Sequence, residues 1–171
     1  LSLVGSEMCI RDRHNRTNYD LTRHQEYSGE RQEYLDSETN EKYIPYIVES
    51  TYGLDRTVLA ILFNSYEKET LENGEEREVM HFIPYLAPYK CAVLPLVKKY
   101  HSEKAKEIYE KLCKSFMTSY DESGSIGKRY RRQDAIGTPY CITIDEETIN
   151  NGTVTIRDRD TMEQTTIKVE D

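Results

Sequence analysis

The chain has 171 residues, 32% of them charged, and a formal net charge of −8, a length that fits one large or two small domains. A protein this acidic does not hold a polyanion through its average field, so any nucleic acid must meet a local basic face. No run approaches the ~18 apolar residues of a membrane-spanning helix, and the four cysteines (Cys9, Cys91, Cys113, Cys141) are isolated without a Cys-x-x-Cys pair, so neither zinc nor a disulfide framework is expected and reduced core thiols are.

The first segment, LSLVGSEMCIRDR, has neither helical nor strand period and no long apolar core of the kind a signal peptide needs. It resembles a translated sequencing-library adapter, so residues 1–13 are set aside as foreign sequence or a flexible tail, and a fragment of a longer protein is expected. Their removal leaves the net charge unchanged, because Glu7 and Asp12 offset Arg11 and Arg13.

From Asn18 to Ser28 a short polar helix is expected, with Gly29 as its stop. The charged stretch 31–41 reads as loop. Tyr43–Glu49 (YIPYIVE) is rich in β-branched and aromatic residues and reads as a strand broken by Gly53. Leu54–Tyr66 carries Leu54, Val58, Leu59, Ile61, Leu62 and Phe63, the pattern of a largely buried helix. Residues 67–78 read as an acidic connector around an Asn73-Gly74 turn, followed by a short strand at Val79–Ile83.

Beyond Leu86 the pattern is a continuous apolar strand (Cys91–Val97), then an amphipathic helix Ser102–Ser115 with Ser102 as its cap. A strand at Phe116–Tyr120, a basic helix Ser125–Ile136 closed by Gly137, and a strand at Tyr140–Ile144 follow. After an Asn151-Gly152 turn, Thr153–Arg157 and Gln164–Val169 alternate as half-exposed strands. Alternating strand and helix predicts an α/β fold with a mostly parallel sheet, and a domain boundary is expected near Pro84–Pro88.

Four groups of residues carry candidate chemistry. Arg56, in Gly53-Leu54-Asp55-Arg56, sits at a strand-to-helix junction where anions are favoured; taken alone, the segment favours a surface ion pair with Asp55 or Glu49. Glu49, ending a strand beside Ser50 and Thr51, suits a small ammonium group or a plain surface position. Arg16, Thr17, Tyr19 and Asp20 mix a cation, hydroxyls and an acid in a short run, as a polar pocket would, and Thr17 also suits a helix cap. Lys128, Arg129, Arg131 and Arg132, with Tyr130 as a stacking ring, form a basic cluster that Arg157 and Arg159 can join through the sheet. The bland reading of that cluster is a solvated helix face. No Ser-His-Asp or Cys-His arrangement stands out.

The blocks HNRTNYDLTRH, YIPYIVESTYGLDRTVLA, LAPYKCAVLPLVKK, GSIGKRYRRQDAIGTPYCITID and TVTIRDRDTMEQ together resemble the homodimeric class II glycyl-tRNA synthetases. The resemblance implies that residues 14–85 close an antiparallel class II catalytic domain and that residues 86–171 form an α/β anticodon-binding domain with a mixed sheet and helices. It implies ATP with Mg²⁺, glycine and glycine tRNA as ligands, a homodimer in the cytoplasm, and no zinc. Arg56 would touch the ATP γ-phosphate with Glu49 beside it, Glu49 would also face the glycine ammonium, and Thr51, Arg16, Thr17, Tyr19 and Asp20 would line the pocket. Lys128, Arg129, Arg131, Arg132, Arg157 and Arg159 would meet the tRNA. Ser50 stands where the family usually has Pro, Thr51 where it has Ser, and Asn18 where Asp is common. The first two class-defining motifs are missing, so the chain alone is expected to be inactive. A non-catalytic nucleic-acid-binding accessory protein on the same fold is the alternative.

Overall fold

The computed structural model describes residues 10–71 and 74–170. The chain divides into two compact units, the first ending at Ala60 and the second beginning at Ile61. Residues 1–9 and Asn73 of the expected turn lie outside the described residues.

In the first unit, β1 (Arg11–Thr17) pairs antiparallel with β4 (Ile47–Tyr52), setting His14 opposite Glu49 and Asp12 opposite Thr51. Arg11–Arg13, set aside above, thus occupy ladder positions. The ladder breaks its register between Asn15 and Thr17. There Thr17 takes φ 54°, and the Asn15 side chain accepts the Thr17 N–H at 2.9 Å. Helix α1 (Tyr19–Ser28) follows, capped by Asn18 without a side-chain bond, so Thr17 is not the cap. Gly29 closes it at φ 73°, a conformation that glycine adopts without strain.

Between these elements β2 (Tyr34–Leu35) and β3 (Lys42–Tyr43) form a small hairpin inside the expected loop, its two tyrosine rings edge-on at 5.7 Å. The strand read at Tyr43–Glu49 begins instead at Ile47. Pro45 has no N–H to give a ladder, so pairing starts beyond it. Helix α2 (Leu54–Ser65) forms where expected, but Leu54, Val58, Leu59, Leu62 and Phe63 are exposed. The apolar pattern marks a face made to be covered; it does not say that this chain covers it.

The second unit takes in the last turn of α2 and then a hairpin, β5 (Tyr66–Thr70) against β6 (Glu76–Met80), where the sequence suggested a connector. Along β6 Arg77 and Val79 are buried and Glu76 and Glu78 exposed, a period of two that a charged inward residue disguised. The main sheet runs β11-β10-β9-β7-β8, built from β7 (Cys91–Pro95), β8 (Thr118–Tyr120), β9 (Tyr140–Ile144), β10 (Thr153–Asp158) and β11 (Gln164–Lys168). β7 is parallel to both neighbours and β10 antiparallel to both of its own, so the sheet is mixed rather than mostly parallel. All five residues of β7 are buried, as a central strand covered on both faces requires.

Alternation along β7 builds two cores. Cys91 and Val93 join Ala105 and Ile108 of α3 (Lys98–Leu112), with Ile142, Ile144 and Val154. Ala92, Leu94 and Cys141 lie on the other face with Ile126 and Tyr130 of α4 (Ile126–Ile136). Helix α3 starts a turn before Ser102, with Val97 as its N-cap residue and the Val97 N–H donating to His101 Nδ1 at 3.0 Å. The sequence reading missed α5 (Glu146–Asn151). Asp145 and Thr148 form a capping box at its start and Gly152 closes it, so the expected turn is a helix end. Gly137, at φ 80°, ends α4 where a Cβ would lie 2.5 Å from Phe82 and 2.8 Å from the Met80 carbonyl, so only glycine lets α4 meet β6.

Candidate nucleic-acid interface

Four of the polar residues singled out in the first unit meet. Arg16 near the end of β1 reaches Asp20 in the first turn of α1 through two bonds of 3.0 and 3.2 Å, and its Nε lies 3.5 Å from Glu49 Oε2 on β4. Thr51 Oγ1 donates to Glu49 Oε1 at 2.9 Å. The bond from Arg16 holds the Asp20 carboxyl below its ordinary range, and Asp20 in turn raises the guanidinium. Two carboxylates around one guanidinium leave an uncompensated negative charge, which suits an ammonium ligand. Thr17 sits at the register break, Tyr19 lies under the Arg23 guanidinium at 5.5 Å, and Arg56 is exposed in the first turn of α2. None of these three hydrogen-bonds to the other four.

The six basic residues of the second unit do not form the expected ridge. Arg129 is 3% exposed and donates to the carbonyls of Pro95 and Gly124, tying the start of α4 to the end of β7. Arg157 is 5% exposed and makes a two-pronged pair with Asp134 at 2.8 and 3.1 Å, its guanidinium 4.8 Å from the Tyr130 ring. Arg159 is 3% exposed and bonds the Gly137 and Phe82 carbonyls, each at 2.9 Å, and Asp160. These three are turned inward and engaged by carbonyls and carboxylates, with only Nε of Arg129 left without a partner, so they do not present the expected tRNA-facing surface. The helical period explains Arg129, which shares its inward face with Gln133 four residues on. A guanidinium has five donors in a fixed fork, so carbonyls and one carboxylate can satisfy it away from water.

Lys128, Arg131 and Arg132 remain at the surface. Arg131 Nη2 pairs with Glu75 at 2.9 Å, and Arg132 with Asp121 at 2.6 Å and the Ser123 carbonyl at 2.6 Å.

Arg77, which the sequence reading passed over, is the hub of the unit. It is 2% exposed and bonds Glu69 at 2.5 Å, Asp134 at 3.2 Å and the Arg159 carbonyl at 3.0 Å. From Glu69 the chain of contacts runs through His81 (2.9 Å) to Asp160 (2.6 Å) and back to Arg159. Both ring nitrogens of His81 lie within hydrogen-bond distance of a carboxylate, Nδ1 of Asp160 and Nε2 of Glu69. Burial opposes the charge on Glu69, but its bonds to Arg77 and His81 prevail and hold its carboxyl low; Arg159 does the same for Asp160. The network fastens the β5–β6 hairpin to α4 and to the turn after β10. An inward arginine between acidic residues was its only sequence signal. Ligand atoms of Glu67, Glu69 and His81 lie within 4.8 Å of one another, yet Glu69 and His81 are already engaged by Arg77 and Asp160.

Beside the exposed cations is a cavity of about 460 Å³. Its walls include Lys128, Tyr130 and Arg131 of α4, Leu71 and Glu75 of the hairpin connection, and Met162 of the turn between β10 and β11. Cations, the carboxylates of Glu75 and Asp134, an aromatic ring and apolar side chains thus line one cavity, and aromatic rings and guanidinium planes are groups on which unstacked bases stack.

Residues 90–171 match a family model described as an anticodon binding domain. The chain is 60% identical over 155 residues to a glycine–tRNA ligase of Geobacillus kaustophilus, covering 91% of this chain and 34% of that protein. It is 56% identical over 157 residues to the glycine–tRNA ligase of Clostridium acetobutylicum, covering 92% and 34% respectively. Over about nine-tenths of its length the chain is similar to glycine–tRNA ligases. It spans about a third of the length of the curated relatives it matches. The RNA binding domain of threonyl-tRNA synthetase from Cryptosporidium parvum shares the fold, with a TM-score of 0.62 at 23% identity over 81% of this chain and 32% of that one. No helix among the described residues is long and apolar enough to cross a membrane.

Proposed function

We propose that the chain is the tRNA-reading end of a glycine–tRNA ligase, joined to one wall of its amino-acid and ATP pocket. Residues 14–85 supply that wall and residues 86–171 the anticodon-binding domain. In the whole enzyme glycine attacks the α-phosphate of ATP, pyrophosphate leaves, and the terminal hydroxyl of glycine tRNA takes the glycyl group from the adenylate. Such chemistry rests on positioning and charge stabilisation rather than a covalent side chain. Glu49 receives the glycine ammonium, Thr51 and Asp20 border it, Arg16 fixes both carboxylates, and Thr17 and Tyr19 shape the rim. Arg56 meets the γ-phosphate of ATP, whose Mg²⁺ arrives with the substrate. The tRNA is met by Lys128, Arg131 and Arg132, while Arg129, Arg157 and Arg159 hold the frame behind them. The homodimer and cytoplasmic location expected of the family belong to the same reading.

The observation that carries this is 56–60% identity to glycine–tRNA ligases over more than nine-tenths of the chain. The test is glycine-dependent ATP–pyrophosphate exchange, run with this chain and with the full-length protein. The chain alone is expected to be silent, and the full protein active and disabled by Glu49→Gln. Exchange by the chain alone would contradict the division of labour. A full protein that binds tRNA without exchange would be an accessory nucleic-acid-binding protein.

A further inference from the structure

The face of the β5–β6 hairpin that carries Arg77 and Val79 also gathers three groups of ligand chemistry. Side chains alternate along a strand, and the pairing of Glu67 with Val79 and of Glu69 with Arg77 puts both glutamates on that face. His81, the residue after β6, is fixed there by its backbone N–H, which donates to the Ser65 carbonyl at 2.6 Å. Its Nε2 lies 2.9 Å from Glu69 Oε1 and 3.6 Å from Glu67 Oε2. Glu69 and His81 are each held by the far atom: Arg77 bonds Glu69 Oε2 at 2.5 Å, and Asp160 lies 2.6 Å from His81 Nδ1. Those bonds leave Oε1 and Nε2 turned toward each other. Asp160 and Glu69 are both held below the ordinary carboxylate range, and an ionised carboxylate only accepts. The ring proton therefore belongs on Nδ1, toward Asp160, and the point between Nε2, Glu69 Oε1 and Glu67 Oε2 calls for a positive centre.

We propose that this point takes a divalent transition-metal ion, zinc foremost, with His81 Nε2, Glu69 and Glu67 as ligands and water completing the shell. Zinc bonds to imidazole nitrogen and carboxylate oxygen run about 2.0–2.2 Å, which sets tetrahedral ligand atoms about 3.3 Å apart. The distances of 2.9 and 3.6 Å bracket that spacing. Glu67, with 64% of its side chain accessible, has room to adjust. A carboxylate behind the second ring nitrogen, as Asp160 is here, is the usual partner that orients a metal-bound histidine. An imidazole between carboxylates favours zinc over magnesium and calcium, which take oxygen shells. Cysteine has no part in it, so the isolated thiols that argue against zinc in the sequence do not bear on this site. The ion would join β5 to the residue after β6, beside the Arg77 bonds, and tighten the attachment of the hairpin to α4.

Calorimetric titration of the chain with zinc chloride tests this, with cobalt(II) as a coloured substitute. One tight equivalent is expected, and its cobalt spectrum should show the visible bands of a tetrahedral nitrogen and oxygen site without a thiolate charge-transfer band. Asp160→Asn should weaken zinc roughly tenfold, as the loss of an orienting carboxylate does, and Glu67→Gln, which removes a ligand, by at least about tenfold. Cys113→Ser should leave the affinity unchanged. Glu67 is at the surface, so its variant keeps the fold. The urea midpoint should rise with free zinc, because the ion binds the folded chain, and return on chelation. No uptake by the unaltered chain overturns the proposal, and so does an affinity that Glu67→Gln leaves unchanged. A thiolate band would place the ion on Cys113 instead, and equal affinity for magnesium would mark a plain acidic patch; either result also overturns it.

Discussion

The two units reach order by different means. No described residue from 10 to 60 is buried; that unit is held by a short antiparallel ladder, a two-residue hairpin and surface ion pairs such as Arg16–Asp20. The second has strands buried on both faces, with Ala92, Val93, Leu94 and Ile144 at 0% exposure, and a buried ionic network besides. Surface pairs contribute ~0–1 kcal/mol each, whereas a fully buried leucine or isoleucine contributes several-fold more. The second unit carries its own core. The first displays apolar surface at Leu54, Val58 and Leu59 of α2.

The sharpest way to break this comparison is at Asp134, which is 0% exposed and holds two buried arginines. Asp134→Ala strands both guanidinium groups and should cost about 3–5 kcal/mol, read as a lower midpoint in urea unfolding followed by the far-ultraviolet signal of the sheet. Arg16→Ala in the first unit should move that midpoint by less than ~1 kcal/mol. Equal effects would mean that the two units are not built differently.

Acid should act next. The folded values of Glu69 and Asp160 lie below their ordinary ones, and Glu122, bound by Lys98, Tyr120 and Ser102, is lowered to about 2. A carboxyl lowered in the folded state adds stability above its unfolded value, near ~4, and loses it as pH falls through the folded value. The urea midpoint should therefore hold steady from neutrality to about pH 5 and fall continuously below about pH 4. A midpoint that rises on acidification would sink the network's role.

The smallest effect concerns thiols. Burial, and then Asp134, pushes the Cys141 thiol up to about 12, and burial raises Cys91. Cys113 is exposed. A thiol reagent at neutral pH should label Cys113 promptly and spare Cys91 and Cys141 until urea is added. Early labelling of Cys141 would show that the second unit opens as readily as the first.

How much of this could be read from residues depends on what each signal reports. β7 is an uninterrupted apolar run, β9 is interrupted only by Thr143, and α4 has glycine at its end, so these are legible. The β5–β6 hairpin is not, because its inward residue is Arg77, a type that marks surface in most patterns. The same habit misplaced Arg129, Arg157 and Arg159, whose carbonyl and carboxylate partners come from up to 77 residues away in sequence. Helix α5 announced itself through Asp145 and Thr148, a capping pair hidden in what looked like a polar turn. The meeting of Arg16, Asp20, Glu49 and Thr51 rests on pairing β1 with β4, two segments about thirty residues apart with no periodic signal linking them. The apolar face of α2 was legible as apolar, but apolar pattern alone does not report burial, and Leu54, Val58, Leu59, Leu62 and Phe63 are exposed.

On the proposed reading the outward cations of α4, and not the buried Arg129, Arg157 and Arg159, meet the tRNA. Filter binding to a glycine tRNA transcript across a salt series, with Arg131→Glu and Arg132→Glu combined, tests it most directly. The account predicts weaker binding and a shallower dependence of log affinity on log salt, by roughly one unit of slope for each phosphate that is no longer neutralised. Unchanged affinity and slope would contradict it.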